Sequence, residues 1–223
     1  MRKQRVSVAD AGVLVLGLGR FGQSIAAKID QLGLDVLAVE KDPALITQWS
    51  GRLPLVQADA ANPEALEQLG AGDFPVAVVA IGTALESSML ATANLVDLGV
   101  QEIWVKATSV KHGRILQRIG AHHIVFPEQD AGARVAHLVS GRMLDFIELE
   151  DDFSIVKMRP PLQICGRTVG DIDIEGRYGV RVIGVKSPGK EFVYVNRRVV
   201  VSPEDLIVVG GQSGRLEAFA ALG

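Results

Sequence analysis

The first part of the chain alternates short, continuous apolar runs with longer segments that mix apolar and polar residues at helical spacing. The apolar runs are predicted strands and occupy residues 13–17, 34–40, 53–58, 76–81, 102–107 and 123–126. The mixed segments are predicted helices and lie near residues 21–32, 42–50, 62–69, 84–98 and 109–119. Strands that are apolar throughout are typical of a parallel sheet with helices on both faces. This part is therefore predicted to be a doubly wound, Rossmann-type α/β domain.

One further helix is predicted at residues 130–141, with an apolar stripe of Ala131, Val135, Leu138 and Val139. After it the pattern changes to shorter segments of β character, at residues 153–158, 179–186, 191–195, 198–201 and 206–209. We therefore predict two domains. Residues 10–142 form the Rossmann-type domain together with the further helix, and residues 143–223 form a small α+β domain.

Composition narrows the classes of function. A formal net charge of −3 does not favour a nucleic-acid partner. Cys165 is the single cysteine and has no partner for an internal disulfide, as expected in a reducing cytoplasm. No apolar run approaches the roughly 18–20 residues that span a bilayer, and the basic N-terminus lacks the apolar stretch of a signal peptide. We expect a soluble, cytoplasmic chain without direct membrane insertion.

The strand predicted at residues 13–17 runs directly into Gly17-Leu18-Gly19-Arg20-Phe21-Gly22, and a helix is predicted to follow. In this context the first glycine permits a tight turn, and the second lets the backbone approach a phosphate. The third lets helix and strand pack closely. The start of the helix adds free N–H groups and a positive dipole end that suit a diphosphate. The segment therefore predicts a nucleotide site.

Polar residues near this loop suggest which parts of a nucleotide they bind. Glu40 ends the second predicted strand, where a carboxylate accepts hydrogen bonds from ribose hydroxyls. Arg20 lies inside the loop, where a guanidinium suits a terminal phosphate, although an exposed, solvated arginine is the plainer interpretation. Asp59 follows the third strand and either meets an adenine amino group or belongs to a surface turn.

Three more candidates follow later strands. Gly82 either lets the chain pass close to a cofactor or makes a tight turn, and Lys106 either reaches a phosphate or is solvated. Glu128 has the chemistry to ligate a divalent cation, but it also suits the start of the following helix, for which Asp130 is the better-placed cap. The sequence alone leaves these alternatives open.

Catalytic groups are sparse. His122 and His123 are adjacent on a predicted strand and therefore face opposite ways, and His112 is expected to be solvated at a helix start. No Cys/His spacing typical of zinc occurs, and the C-terminal domain offers no evident acid–base pair. A Rossmann-type domain without such groups favours a nucleotide-binding regulator over an enzyme.

Several segments taken together resemble a known family. Besides the glycine-rich loop they are residues 39–40, 79–82, 103–107, 119–121, 127–132, 178–185 and 205–210. With them the chain resembles the RCK family, the regulators of K⁺ conductance. Within that family it is most similar to the KtrA-like cytosolic subunits of bacterial Ktr potassium transporters, with TrkA as a more distant relative. The resemblance covers essentially the whole chain past residue 12.

The resemblance implies a homo-octameric ring, a tetramer of dimers, in which the helix at residues 130–141 links the two partners of a dimer. The ring would dock beneath an integral-membrane, KtrB-like K⁺ transporter subunit and lie peripherally at the inner face of the cell membrane. ATP would activate and ADP inactivate, with Arg20 reading the γ-phosphate, and Glu128 would ligate a divalent cation, Mg²⁺ or Ca²⁺. The residues expected to contact the nucleotide are Gly17, Gly19, Arg20, Phe21, Gly22, Glu40, Lys41, Asp59, Ala60, Ile81, Gly82 and Lys106.

Some relatives bind cyclic di-AMP between paired C-terminal domains through an arginine. This sequence has Glu175 at that position, and its carboxylate would repel a phosphate, so cyclic di-AMP is not expected to bind. Two alternatives to an ATP/ADP-controlled regulator stay open. One is a TrkA-like redox sensor that responds to NADH. The other is a small NAD-dependent oxidoreductase, which is favoured only by the glycine-rich loop and Glu40.

Overall fold

The structure, a computed structural model, describes residues 12–139, 141, 143–149 and 152–222. The chain divides between Glu128 and Gln129 into two compact units. The expected domain start at residue 10 and the boundary residue 142 lie outside the described residues, so the boundary between residues 142 and 143 stays a prediction. No helix in the described part of the chain is both long and apolar enough to cross a membrane.

A six-stranded parallel sheet forms the centre of the N-terminal unit. Its strands are β1 (Val13–Leu16), β2 (Val36–Glu40), β3 (Leu55–Gln57), β4 (Val76–Val79), β5 (Glu102–Lys106) and β6 (His123–Val125). They lie in the order β3-β2-β1-β4-β5-β6, with every neighbouring pair parallel. The strand order reverses between β1 and β4, where an open α/β sheet forms a crevice at its carboxyl edge. The predicted Rossmann-type fold is confirmed.

Helices connect these strands. They are α1 (Arg20–Gln31), α2 (Pro43–Trp49), α3 (Pro63–Gln68), α4 (Leu85–Asp97) and α5 (Val110–Ile119), and a further helix, α6 (Pro127–Val139), follows β6. The Asp42 side chain accepts a hydrogen bond from Ala44 N, and Asn62 accepts one from Glu64 N. Each cap therefore fixes where its helix begins, directly before a proline.

The central sheet is covered on both faces. Val13 and Val15 of β1 belong to one buried cluster, whereas Leu14 and Leu16 belong to another. Because successive side chains of a strand point to opposite faces, a strand with an apolar cluster on each side has to be apolar throughout. This explains the continuous apolar run from which the strand was predicted.

The C-terminal unit is built on a five-stranded antiparallel sheet, which confirms the small α+β fold. Its strands are β7 (Asp145–Glu148), β8 (Phe153–Met158), β9 (Val180–Lys186), β10 (Val193–Tyr194) and β11 (Leu206–Gln212), in the order β10-β9-β11-β8-β7. The helices α7 (Val169–Ile172), α8 (Ile174–Tyr178) and α9 (Ser213–Ala220) complete the unit. Its buried cluster is separate and includes Val156, Val182, Ile207, Leu216 and Phe219.

Three local predictions were wrong. Residues 198–201 form no strand: only isolated bridges join Val200 to Thr168 and Val201 to Cys165. Helix α6 begins at Pro127 rather than residue 130, so Asp130 lies inside the helix and does not cap it. His122 lies just before β6, so the two adjacent histidines do not share a strand.

Candidate functional site

The glycine-rich loop leaves β1 and leads into α1 at the carboxyl edge of the sheet. Gly17 has φ +95°, a conformation that favours glycine. A Cβ on Gly22 would overlap the carbonyl oxygen of Gly17, whereas a Cβ on Gly19 would meet no atom within 4 Å. Gly19 is also the N-cap of α1, and no side chain caps the helix there. The loop thus presents backbone N–H groups beside open space, which suits an anion.

Glu40 joins the end of β2 to this loop. Its Oε2 accepts a hydrogen bond of 2.6 Å from Leu18 N, and its Oε1 accepts bonds of 2.8 and 3.0 Å from Lys41 N and Asp42 N. A carboxylate has about four acceptor positions, so three are used by the backbone and roughly one is left for a ligand hydroxyl. Glu40 is thereby held in place at the crevice.

The predicted residues Lys41, Asp59 and Ala60 follow β2 and β3. Lys41 Nζ lies 3.9 Å from Asp59 Oδ2, and both side chains are about half exposed, at 58% and 50%. Asp59 Oδ1 also accepts a hydrogen bond from Ala61 N, which is the surface-turn role left open by the sequence. Ala60 is buried, and its carbonyl oxygen accepts a bond from Asn94 Nδ2.

A second cluster of predicted residues lies past the carboxyl ends of β4, β5 and β6 and consists of Phe21, Gly82, Lys106 and Glu128. Lys106 Nζ donates a 2.6 Å hydrogen bond to Glu128 Oε1 and lies 5.8 Å from the centre of the Phe21 ring. The lysine passes over Gly82, where an added Cβ would stand 3.1 Å from Lys106 Cε. The Lys106 side chain is only 13% exposed, against 67% for Glu128. Gly82 therefore gives room to a confined ammonium group.

Charge at this point acts on Glu128. The hydrogen bond from Lys106 is the largest of several effects that together lower the pKa of the Glu128 carboxyl, and the charge of Arg20 contributes in the same direction. Arg20, the first residue of α1, is therefore close enough to act electrostatically on Glu128. Ile81 also lies here, with Cγ1 3.1 Å from the position of a Cβ on Gly17.

The structure thus forms two groups from the predicted site residues. One group lies around the start of α1 and consists of the loop residues, Ile81, Gly82, Lys106 and Glu128. The other group follows β2 and β3 and consists of Lys41, Asp59 and Ala60. Glu40 lies between the two groups. No sequence pattern indicated the hydrogen bond from Leu18 N to Glu40 Oε2. The neighbouring positions of β5 and β6 in a Rossmann sheet could have indicated the pairing of Lys106 with Glu128.

The histidines lie elsewhere. His112, expected to be solvated, is only 3% exposed, and burial lowers the pKa of its imidazole. His123 stacks on Trp104 with ring centres 3.9 Å apart, and its Nε2 lies 2.9 Å from Glu102 Oε2. His122 Nδ1 accepts a hydrogen bond from Ile103 N. Within the described ranges, no group of three or more His, Cys, Asp and Glu side chains is arranged to hold a metal ion.

Comparison with known proteins places this geometry in a family. The TrkA-N domain model matches residues 13–127, and the TrkA-C domain model matches residues 153–222. The chain belongs to the TrkA-N/TrkA-C family. The N-terminal match contains β1 to β6 and almost all of the site residues. It ends one residue before Glu128.

Its relatives in this family include potassium uptake proteins. The chain is 34% identical over 207 residues to Ktr system potassium uptake protein C of Bacillus subtilis, covering 92% of this chain and 94% of the relative. It is 30% identical over 213 residues to Ktr system potassium uptake protein A of Vibrio alginolyticus, covering 95% and 97%. The resemblance to KtrA-like proteins is confirmed.

Solved structures show the same TrkA-type fold. The GsuK RCK domain has a TM-score of 0.64 at 18% identity. The alignment covers 94% of this chain and 47% of the GsuK chain. The TrkA-N domain of the inner membrane protein YbaL from Escherichia coli has a TM-score of 0.52 at 19% identity, with coverages of 58% and 96%. The two-domain RCK fold is therefore present here, in about half the length of the GsuK chain.

Proposed function

We propose that this protein is a nucleotide-sensing, non-catalytic subunit that controls K⁺ flux through an integral-membrane partner of the Ktr or Trk type. The observation that carries the proposal is the convergence of the uncapped start of α1 with Arg20, Lys106 and Glu40 at the carboxyl edge of the sheet. The similarity to proteins named as Ktr system potassium uptake proteins is the reason for proposing a Ktr-type transport system.

ATP and ADP are the ligands we favour. The backbone of the loop Gly17–Gly22 would hold the diphosphate, with Arg20 and Lys106 as cations for the terminal phosphate. Phe21, Ile81 and Gly82 would line this end of the site. The remaining acceptor position of Glu40 would take a ribose hydroxyl, and the group formed by Lys41, Asp59 and Ala60 would lie towards the base.

ATP and ADP differ by one phosphate, so only groups at the phosphate end can tell them apart. Arg20 forms no salt bridge with any described residue, and its guanidinium is thus available for that phosphate. We propose that ATP activates and ADP inactivates the complex, through a difference in binding energy between two ring shapes.

The proposal extends to a cation and to assembly. Glu128 supplies one carboxylate ligand for Mg²⁺ or Ca²⁺, and the other ligands would come from phosphate oxygens and from a second copy of the chain. A homo-octameric ring, a tetramer of dimers, would hold the sites in pairs at the cytoplasmic face of a KtrB-like subunit. Cyclic di-AMP remains an unfavoured ligand because the carboxylate of Glu175 would repel a phosphate.

NADH is a second candidate ligand, since an acid at the end of β2 is the position that binds ribose in NAD-binding Rossmann domains. A structure described as the GsuK channel bound to NAD shares the fold, with a TM-score of 0.61 at 16% identity. If NADH is the ligand, Arg20 would contact the diphosphate of the dinucleotide, and the protein would respond to the redox state of the cell.

Isothermal titration with ATP, ADP, NAD⁺ and NADH, each with and without Mg²⁺, tests the proposal. We expect micromolar binding of ATP and ADP, weak binding of both dinucleotides, and an effect of Mg²⁺ that is lost in Glu128→Gln. Tight binding of NADH with negligible binding of ATP would overturn the assignment in favour of redox sensing.

A further inference from the structure

We infer that Glu128 is an electrostatic brake on phosphate binding: in the absence of a bound cation it holds Lys106 as its own counter-ion and so weakens the attraction of the site for a phosphate chain. The inference rests on the proposed function, because it concerns the regulation of the same site. It assigns Glu128 a role that does not depend on a metal ion.

Lys106 is the fixed partner of this ion pair. Lys106 is confined, since its Nζ lies 5.8 Å from the Phe21 ring centre and its side chain passes closely over Gly82. It is 13% exposed, whereas the Glu128 side chain is 67% exposed. The ammonium therefore stays near the start of α1 in either state, and the carboxylate is the partner with room to move.

The charges at this end of the site do not cancel. Arg20 and Lys106 contribute two positive charges at this end of the site, and Glu128 contributes one negative charge that acts on both. A phosphate that approaches the loop meets repulsion from the carboxylate and competes with it for Lys106. Replacement of Glu128 by a neutral residue would raise the local charge from +1 to +2 and remove both effects.

Glu128 weakens phosphate binding only in part. An ammonium group has three donors, and Glu128 takes one of them. A phosphate and Glu128 can thus share Lys106, so the carboxylate weakens binding without preventing it. Solvent screens the exposed carboxylate, and we expect a change of about three- to tenfold in affinity.

The test is isothermal titration of the full chain with ATP and with adenosine, in a buffer that contains a chelator and no divalent cations. Glu128→Gln should bind ATP about three- to tenfold more tightly than the unaltered protein, while the affinity for adenosine, which has no phosphate, should not change. Glu64→Gln is the matched control. Glu64 also follows a proline in the first turn of a helix and is exposed, and its substitution changes the net charge by the same amount.

A double-mutant cycle shows whether the effect acts through Lys106. In a Lys106→Met background the competition for Lys106 is absent and only the direct repulsion remains, so the tightening caused by Glu128→Gln should be clearly smaller than in the unaltered protein. An undiminished effect would mean that Glu128 acts on the phosphates independently of Lys106 and would overturn the counter-ion role. Thermal unfolding of each variant confirms that it folds.

The outcomes separate this inference from the proposed function. Unchanged or weaker ATP binding by Glu128→Gln, beside an unaltered protein that binds ATP, would overturn the brake and leave the nucleotide sensor intact. Failure of the unaltered protein to bind either ATP or ADP would overturn the proposed function itself.

Discussion

At the scale of single residues, the fold requires glycine at two of the three glycine positions of the glycine-rich loop and does not require it at the third. Gly17 has φ +95°, and Gly22 leaves no room for a Cβ beside the Gly17 carbonyl. Gly19 has φ −61° and open space around it. The sequence motif predicted all three positions together, but it could not show that two serve the backbone and one leaves room for a ligand.

Gly22→Ala is expected to lower the free energy of unfolding by about 1–3 kcal/mol, because the new methyl group meets a backbone oxygen that cannot move alone. Gly19→Ala is the matched control and should change this free energy by less than about 0.5 kcal/mol. Denaturant unfolding followed by circular dichroism measures both. Equal losses in the two variants would contradict the division of roles within the loop.

Arg20→Ala should reduce the affinity for ATP by about 10- to 100-fold, since it removes a charge-assisted contact with the terminal phosphate. The affinity for ADP should fall much less, and that for adenosine should stay constant. Arg118→Ala removes a positive charge from the last turn of α5 and serves as the control. If titration shows equal losses for ATP and ADP, Arg20 does not read the γ-phosphate.

At the scale of elements, patterns located the N-terminal unit better than the C-terminal one. Strands of the parallel sheet are buried on both faces, and α2 and α3 carry capping residues, so both leave clear signals. In β7 only Phe146 is buried, and α7 has four residues, so neither produces a periodic pattern. The apolar residues 198–201 looked like a strand, but Val200 is half exposed and forms only a bridge.

His112 makes the start of α5 sensitive to acid. Its Nδ1 accepts a 3.4 Å hydrogen bond from Thr108 N, and burial lowers its pKa below the ordinary value of 6.5. The unfolded chain therefore binds a proton more readily, so stability is fully present above pH 6.5 and is lost as the pH falls below it. Unfolding free energies measured between pH 7.5 and about pH 5 should fall, and less steeply in His112→Leu.

The control for this pH series is His123→Gln, which changes a histidine with 42% side-chain exposure on β6. It should leave the additional loss of stability at low pH in place. If His123→Gln flattens the pH dependence and His112→Leu does not, the acid sensitivity belongs to the exposed histidine instead.

At the scale of the whole molecule, the site is a product of sheet order. Lys106 ends β5 and Glu128 lies shortly after β6, and these strands are neighbours, so the two side chains meet although 22 positions separate them. The sequence supplied both residues as separate candidates, because each follows a strand. Their pairing depends on packing over Gly82 and beside Phe21, which no local pattern encodes.

The two units have separate buried clusters, and all of the predicted nucleotide contacts fall within the first. A fragment of residues 1–139, which keeps α6 whole, is therefore expected to unfold cooperatively and to bind ATP within about threefold of the full chain. Calorimetry and titration of the fragment measure both properties. A fragment that folds but no longer binds ATP would show that the C-terminal unit, or assembly through it, completes the site.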